Sequence, residues 1–217
     1  MKSITDEYLN SVLEGLDRFE FIQPEDIPNI DLYMDQVTTF IDRKMRASAR
    51  YPDVDKILTK TMINNYAKND LLPPPVKKKY SKEHVLLLIF IYYYKGLLSI
   101  SDIQTLLNPL TDKYFQNGKD FRLEDVYKEI FSIAQEEKEI LIEDVQKKFA
   151  RAKESFSNAP EEDCAFLQNF AFICQMSFDV YMKKLMIEKM IDQMVEKSTT
   201  GGKSEKKGKT EKAGTEK

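Results

Sequence analysis

Val85 to Tyr94 reads VLLLIFIYYY, ten consecutive residues that carry no charge and no polar atom beyond three tyrosine hydroxyls. A helix that is apolar on every side has no face to offer water, so other elements must pack all around it. The run is about half of the roughly 20 residues that a helix needs to cross a bilayer, so it must be buried in protein. Ser81 ahead of it is a good N-cap and Gly96 behind it a natural stop. The rest of the chain is therefore to be read as what surrounds this helix.

The surroundings read as helical too. Apolar residues recur at intervals of three and four, and no long stretch alternates with period two, which predicts an all-α fold. Only the piece around Pro73 to Tyr80 is expected to be extended. In an N-terminal arm, 1–33, Gln23-Pro24 and Ile27-Pro28 interrupt a helix, because proline bars the α conformation from the residue before it. A helix follows from about Leu32 to Arg46, with Val37, Phe40, Ile41 and Met45 on one face. Pro52 forces a break, and a second helix runs from Val54 or Thr59 to Asn69. In LLPPPVKKKYS three prolines then stop the helix and stiffen the path. After the apolar helix, Ser99 or Ser101 caps a short helix that Pro109 is expected to terminate.

Beyond residue 110 the pattern lengthens. Phe121 to Phe156 is predicted as one amphipathic helix with Val126, Ile130, Ala134, Leu141, Val145, Phe149 and Ala152 as its stripe. A second, from about Pro160 to Lys197, is too rich in Phe, Met and Ile for one exposed helix. The two are expected to pair as a hairpin and to bury the surplus against the first domain or a second subunit, which points to a homodimer. The division expected is an arm (1–33), a four-helix domain (34–110), a helical dimerisation region that could also hold an apolar effector (111–197), and a disordered tail (198–217) without any aliphatic residue larger than alanine.

The net charge of −3 hides an asymmetry. Arg43 to Lys82 holds eleven Lys or Arg against three Asp, a surplus of +8, and leaves −11 on the remainder. A basic module set into an acidic chain suits a polyanionic partner. Little else offers chemistry. Cys164 and Cys174 stand with nine residues between them, which is neither a disulfide framework nor a metal-ligand spacing. His84, the single histidine, lies in the first turn of a helix and reads as a packed or capping residue. No serine–histidine–aspartate site, glycine-rich phosphate loop or H-E-x-x-H motif is present. No enzyme activity, metal or cofactor is expected, and with no apolar leader in MKSITDEYLNSVLEGL the chain reads as cytoplasmic.

The segment Met62 to Pro74, MINNYAKNDLLPP, is similar to the recognition-helix signature of MerR-type regulators, L-R-Y-Y-E-x-x-G-L-L-P-P. Tyr66 and Leu71-Leu72-Pro73 fall on matching positions. Tyr80-Ser81 with Glu83 resembles the element that closes that family's wing, and Gly96 to Leu107, GLLSISDIQTLL, resembles its next helix. The chain departs from the pattern at Asn64 (usually arginine), Asn65 (usually tyrosine) and Asp70 (usually glycine), and its wing is shorter, with Lys78 in place of the wing arginine. The whole chain also resembles an uncharacterised family of Gram-positive bacteria, known as a domain of unknown function, in which the INNY, LLPPP and LLSISDIQTLL segments stand together.

The MerR resemblance implies a winged helix-turn-helix followed by two long C-terminal helices, and a transcription regulator that binds double-stranded DNA. Helix 59–69 would read the duplex and a basic wing loop, 75–80, would grip its backbone. With Leu58, Met62 or Ile63, and Tyr66 turned inward, Lys60, Thr61, Asn64, Asn65 and Lys68 face out: amides for base edges, hydroxyl and ammonium groups for phosphates. Lys77, Lys78 and Lys79 on the proline-stiffened loop complete the expected DNA-binding set. The competing expectation is a helical adaptor that turns the same basic face to an acidic protein.

Overall fold

A computed structural model describes residues 4–17, 19–117 and 121–204. Among them the chain forms seven helices and a two-stranded antiparallel sheet: α1 (Asp6–Asp17), β1 (Leu32–Tyr33), α2 (Met34–Met45), α3 (Lys60–Lys68), β2 (Lys79–Tyr80), α4 (Lys82–Tyr94), α5 (Ile100–Tyr114), α6 (Leu123–Glu154) and α7 (Glu161–Ser204). The fold is mostly helical, as expected. No described helix is long and apolar enough to cross a membrane.

The apolar run is α4, and His84 to Ile91 are all buried. Around it lie Val37, Ile41 and Met45 from α2, Ile63 from α3, Leu71 and Leu72, Ile103 and Leu107 from α5, and Leu123, Tyr127 and Phe131 from α6. This first core draws on the chain from Ile22 to Phe131. Tyr127 lies wholly inside it and its hydroxyl donates to the Ile22 carbonyl at 2.8 Å, so the phenol's polar end is satisfied. Phe90, Tyr127 and Phe131 meet with ring centroids 4.1 to 5.4 Å apart.

A second, smaller core joins both ends of the chain. Leu9 and Leu13 of α1 pack with Val145, Phe149 and Ala152 of α6 and with Phe172 of α7. The Ile4 amide donates to Asn169 Oδ1 at 3.2 Å, and Lys148 of α6 pairs with both Asp144 and Asp179. Thus α6 spans both cores. Its first turns close one and its last turns close the other. The residue-110 boundary expected from the sequence falls inside α5.

Several local expectations need correction. Leu32 and Tyr33 form a strand rather than the first turn of a helix, because Leu32 pairs with Tyr80 and Tyr33 with Lys79 across the sheet. Pro109 lies inside α5 and does not end it. It is exposed, while Ile103 and Leu107 before it are buried and Leu110 and Tyr114 after it pack on the same core, so burial on both sides carries the helix past the missing N–H. In α6 the inward residues of the first half are Leu123, Tyr127 and Phe131, not Ile130, which is exposed. Helix α7 continues to Ser204, past the expected end at 197, and the remaining tail, 205–217, lies outside the described residues.

Candidate nucleic-acid interface

Helix α3 begins at an N-cap. Thr59 Oγ1 accepts from the Met62 amide at 3.1 Å, which selects the later of the two expected starts. Ile63 is completely buried, and Met62 and Tyr66 half-buried, so the helix has one anchored side. Lys60, Thr61, Asn64, Asn65 and Lys68 are all exposed. The helix ends in a Schellman arrangement: the Leu71 amide donates to the Tyr66 carbonyl at 2.9 Å and the Asp70 amide to Ala67 at 3.4 Å. Asp70 has φ of 53°, the left-handed conformation that glycine adopts at least cost.

After Pro73 to Pro75 the chain makes a hairpin tighter than a proline-stiffened loop. The Lys79 amide donates to the Val76 carbonyl at 2.9 Å, and the two residues between, Lys77 and Lys78, have φ of 51° and 65°. Two successive positive φ values in a two-residue hairpin loop define a type I′ turn, whose usual occupants are Asn-Gly. Both lysines are exposed at the tip. Lys79 is half-buried on β2, with its ammonium 5.3 Å from the centre of the Tyr33 ring.

The start of α2 ties these parts together. Asp35 pairs with Lys60 of α3, and Tyr33, two residues earlier, carries Lys79 of the hairpin. Two of the five lysines expected to meet phosphate therefore already have partners, whereas Lys68, Lys77 and Lys78 form no ion pair among the described residues. The roles of Tyr33 and Asp35 were not readable in the sequence, since neither lies in the segment that carries the resemblance. At its far end α3 is held by Gln104 of α5, whose side-chain amide donates to the Asn69 carbonyl.

The connection from α2 to α3, residues 46–59, is held in shape by Arg46. Its guanidinium donates to the carbonyls of Pro52 and Asp55, at 2.5 and 2.6 Å, and to the Asp42 carboxylate. The root of the hairpin rests on His84, which is 1% exposed. Its Nδ1 accepts from the Ser81 amide at 3.0 Å, and its ring meets Tyr80 and Phe115 edge-on. Burial pushes the imidazole below its ordinary value, while the facing carbonyls of Pro73 and Pro74 oppose that shift. Its Nε2 is buried. No group of three or more His, Cys, Asp or Glu among the described residues could hold a metal ion.

These features define a class, a small helical domain with a central apolar helix, a short β-ribbon and one polar helix presented beside a basic hairpin tip. Residues 22–130 match the family described as Domain of unknown function (DUF1836), and the chain belongs to that family. The match spans nearly the same residues as the first core, Ile22 to Phe131. No curated protein and no solved structure matches the chain.

Proposed function

We propose that the chain is a duplex-DNA-binding transcription regulator of winged helix-turn-helix type, acting as a homodimer. In this reading α2 and α3 are the helix pair, α3 enters the major groove, and the 76–79 hairpin is a minimal wing lying on the phosphate backbone. The observation that carries the reading is the pair of lysines at positive φ. Left-handed backbone costs a non-glycine residue about 1 kcal/mol, and such strain concentrates at functional sites. Asparagine and glycine would relax this turn, and the chain instead holds two ammonium groups at its exposed tip. The exposed Asn64 and Asn65 add side chains able to pair with adenine N6 and N7.

The dimer reading rests on α7. Phe166, Phe170, Phe178, Tyr181, Met182, Met186 and Met190 are each about half exposed or more. From Cys164 to Met182 the only charged residue is Asp179, which Lys148 neutralises. So many large apolar side chains left to water on one helix suit coverage by a second copy of the chain.

Titration against selected and scrambled duplexes at several salt concentrations tests the proposal. With Lys68, Lys77 and Lys78 on phosphates in each subunit, the logarithm of affinity should fall with log salt at a slope of about −5. Asn64→Ala or Asn65→Ala should weaken the selected site by about 1 to 3 kcal/mol and leave scrambled DNA unaffected. Absence of duplex affinity at low salt would overturn the reading in favour of a protein adaptor.

A further inference from the structure

A second concave site lies away from the hairpin, where the α2–α3 connection meets the last turn of α4. Ser48, Arg50, Lys56, Tyr92 and Lys95 line a cavity of about 480 Å³, a volume in the range of small-molecule sites. Its cations come from separate parts of the chain. Arg50 and Lys56 belong to the connection, and Lys95 follows the last turn of α4. None of the three forms an ion pair among the described residues, although Lys44, Arg46, Lys60, Lys82, Lys128 and Lys148 all do.

The site is partly built already. Lys95 Nζ donates to the Ile57 carbonyl at 2.8 Å and sits 4.6 Å from the centre of the Tyr92 ring. The hydroxyls of Tyr92 and Ser48 lie 3.3 Å apart. The one carboxylate in the lining, Asp55, accepts from the Tyr51 amide at 3.0 Å. Burial lowers the Lys95 ammonium below its ordinary value, a penalty that an anion in the cavity would offset.

The geometry points to a binding site for a phosphorylated small molecule of nucleotide size, held by Arg50, Lys56 and Lys95 with the Tyr92 and Ser48 hydroxyls. Three cations lining one cavity beside a single carboxylate suit an anion of more than one charge, which phosphate oxygens supply with matching hydrogen-bond acceptors. The cavity adjoins the C-terminal end of α4, whereas the Lys77–Lys78 hairpin leads into its N-terminal end. That helix, 13 residues, is roughly 20 Å long. Occupation would also matter mechanically. Through Lys56 it would fasten the connection to α4 three residues before Thr59, the cap of α3. The inference stands whether or not the chain binds DNA.

Calorimetric titration of the full chain with ADP, inorganic pyrophosphate and adenosine tests it. ADP and pyrophosphate should each bind saturably at one per chain, adenosine should not, and Arg50→Ala or Lys56→Ala should raise the dissociation constant at least tenfold. Both residues are exposed, so circular dichroism and the melting temperature should be unchanged in those variants. Three results would overturn the site: no saturable binding to the folded wild type, equal affinity for wild type and both variants, or stoichiometric displacement of ADP by duplex DNA, which would assign the cations to the duplex.

Discussion

Replacing Lys77-Lys78 by Asn-Gly separates what the hairpin tip does for the fold from what it does for binding. Both lysines occupy the left-handed region, at φ of 51° and 65°. Asparagine tolerates that region several-fold better than lysine, and glycine adopts it without a Cβ penalty. Each relaxation is worth up to about 1 kcal/mol, less the entropy that a flexible glycine loses on folding, so the double variant should gain about 1 kcal/mol. For a chain of this size that raises the melting temperature by about 2 to 4 °C. The same exchange removes two phosphate contacts per subunit, four in a dimer, and the salt slope should flatten from about −5 to about −2. Calorimetry and salt-dependent fluorescence anisotropy on one preparation read both effects. A variant that melts lower than wild type would show that the turn is not strained. A variant that melts higher but binds duplex with an unchanged slope would remove the lysines from the interface.

Asp70→Gly should raise stability by about 1 kcal/mol in chemical denaturation, since Asp70 holds the left-handed cap at φ of 53°. Asp35→Ala frees Lys60 and removes a negative charge from the same surface, so it should tighten duplex binding and steepen the salt slope by about one contact per subunit. Light scattering should report twice the 25.4 kDa chain mass, and Phe178→Glu with Met182→Glu should return it to one. Burial lowers His84 below 6.5, so the unfolded chain binds its proton more readily and the stability it contributes is complete above that value and lost as pH falls below it. Melting temperatures at pH 7.5 and 5.5 should therefore diverge less in His84→Gln, whose amide oxygen can still cap Ser81.

The parts legible in the sequence are those whose causes are local. The α4 run has no polar face, so its burial follows from composition alone. Thr59, Ser81 and Ser99 stand where side-chain oxygens cap helices, and α3, α4 and α5 start there. The outward set on α3 was likewise readable, because Leu58, Tyr66 and one of Met62 and Ile63 had to turn inward. What escaped depends on distant partners. Leu32-Tyr33 is too short to display a strand period, and only Lys79-Tyr80, 47 residues away, makes it a strand. Lys-Lys is a poor type I′ pair by propensity, so nothing local announced the turn. The pairing of Lys60 with Asp35 joins two exposed side chains from different helices, and no pattern in either helix requires it.

The arrangement of the two cores also bears on how a dimer could read DNA. The N-terminal arm opens with the helix α1, which docks on α6 and α7 through Leu9 and Leu13 rather than on the first core. Helix α6 is then held at both ends, by Leu123, Tyr127 and Phe131 in one core and by Val145, Phe149 and Ala152 in the other. Its 32 residues make a rod of roughly 48 Å. In the proposed dimer such a rod leaves little freedom between the α7 contact and the α3 surface of each subunit. The spacing of two half-sites would be set by α6 rather than by a flexible linker, and duplexes with half-sites moved by half a helical turn, about 17 Å, should lose cooperative binding. A linker-like joint would tolerate that shift. Flexible insertion of several residues near Lys138, midway between the cores, should restore binding to the shifted sites if α6 is the ruler.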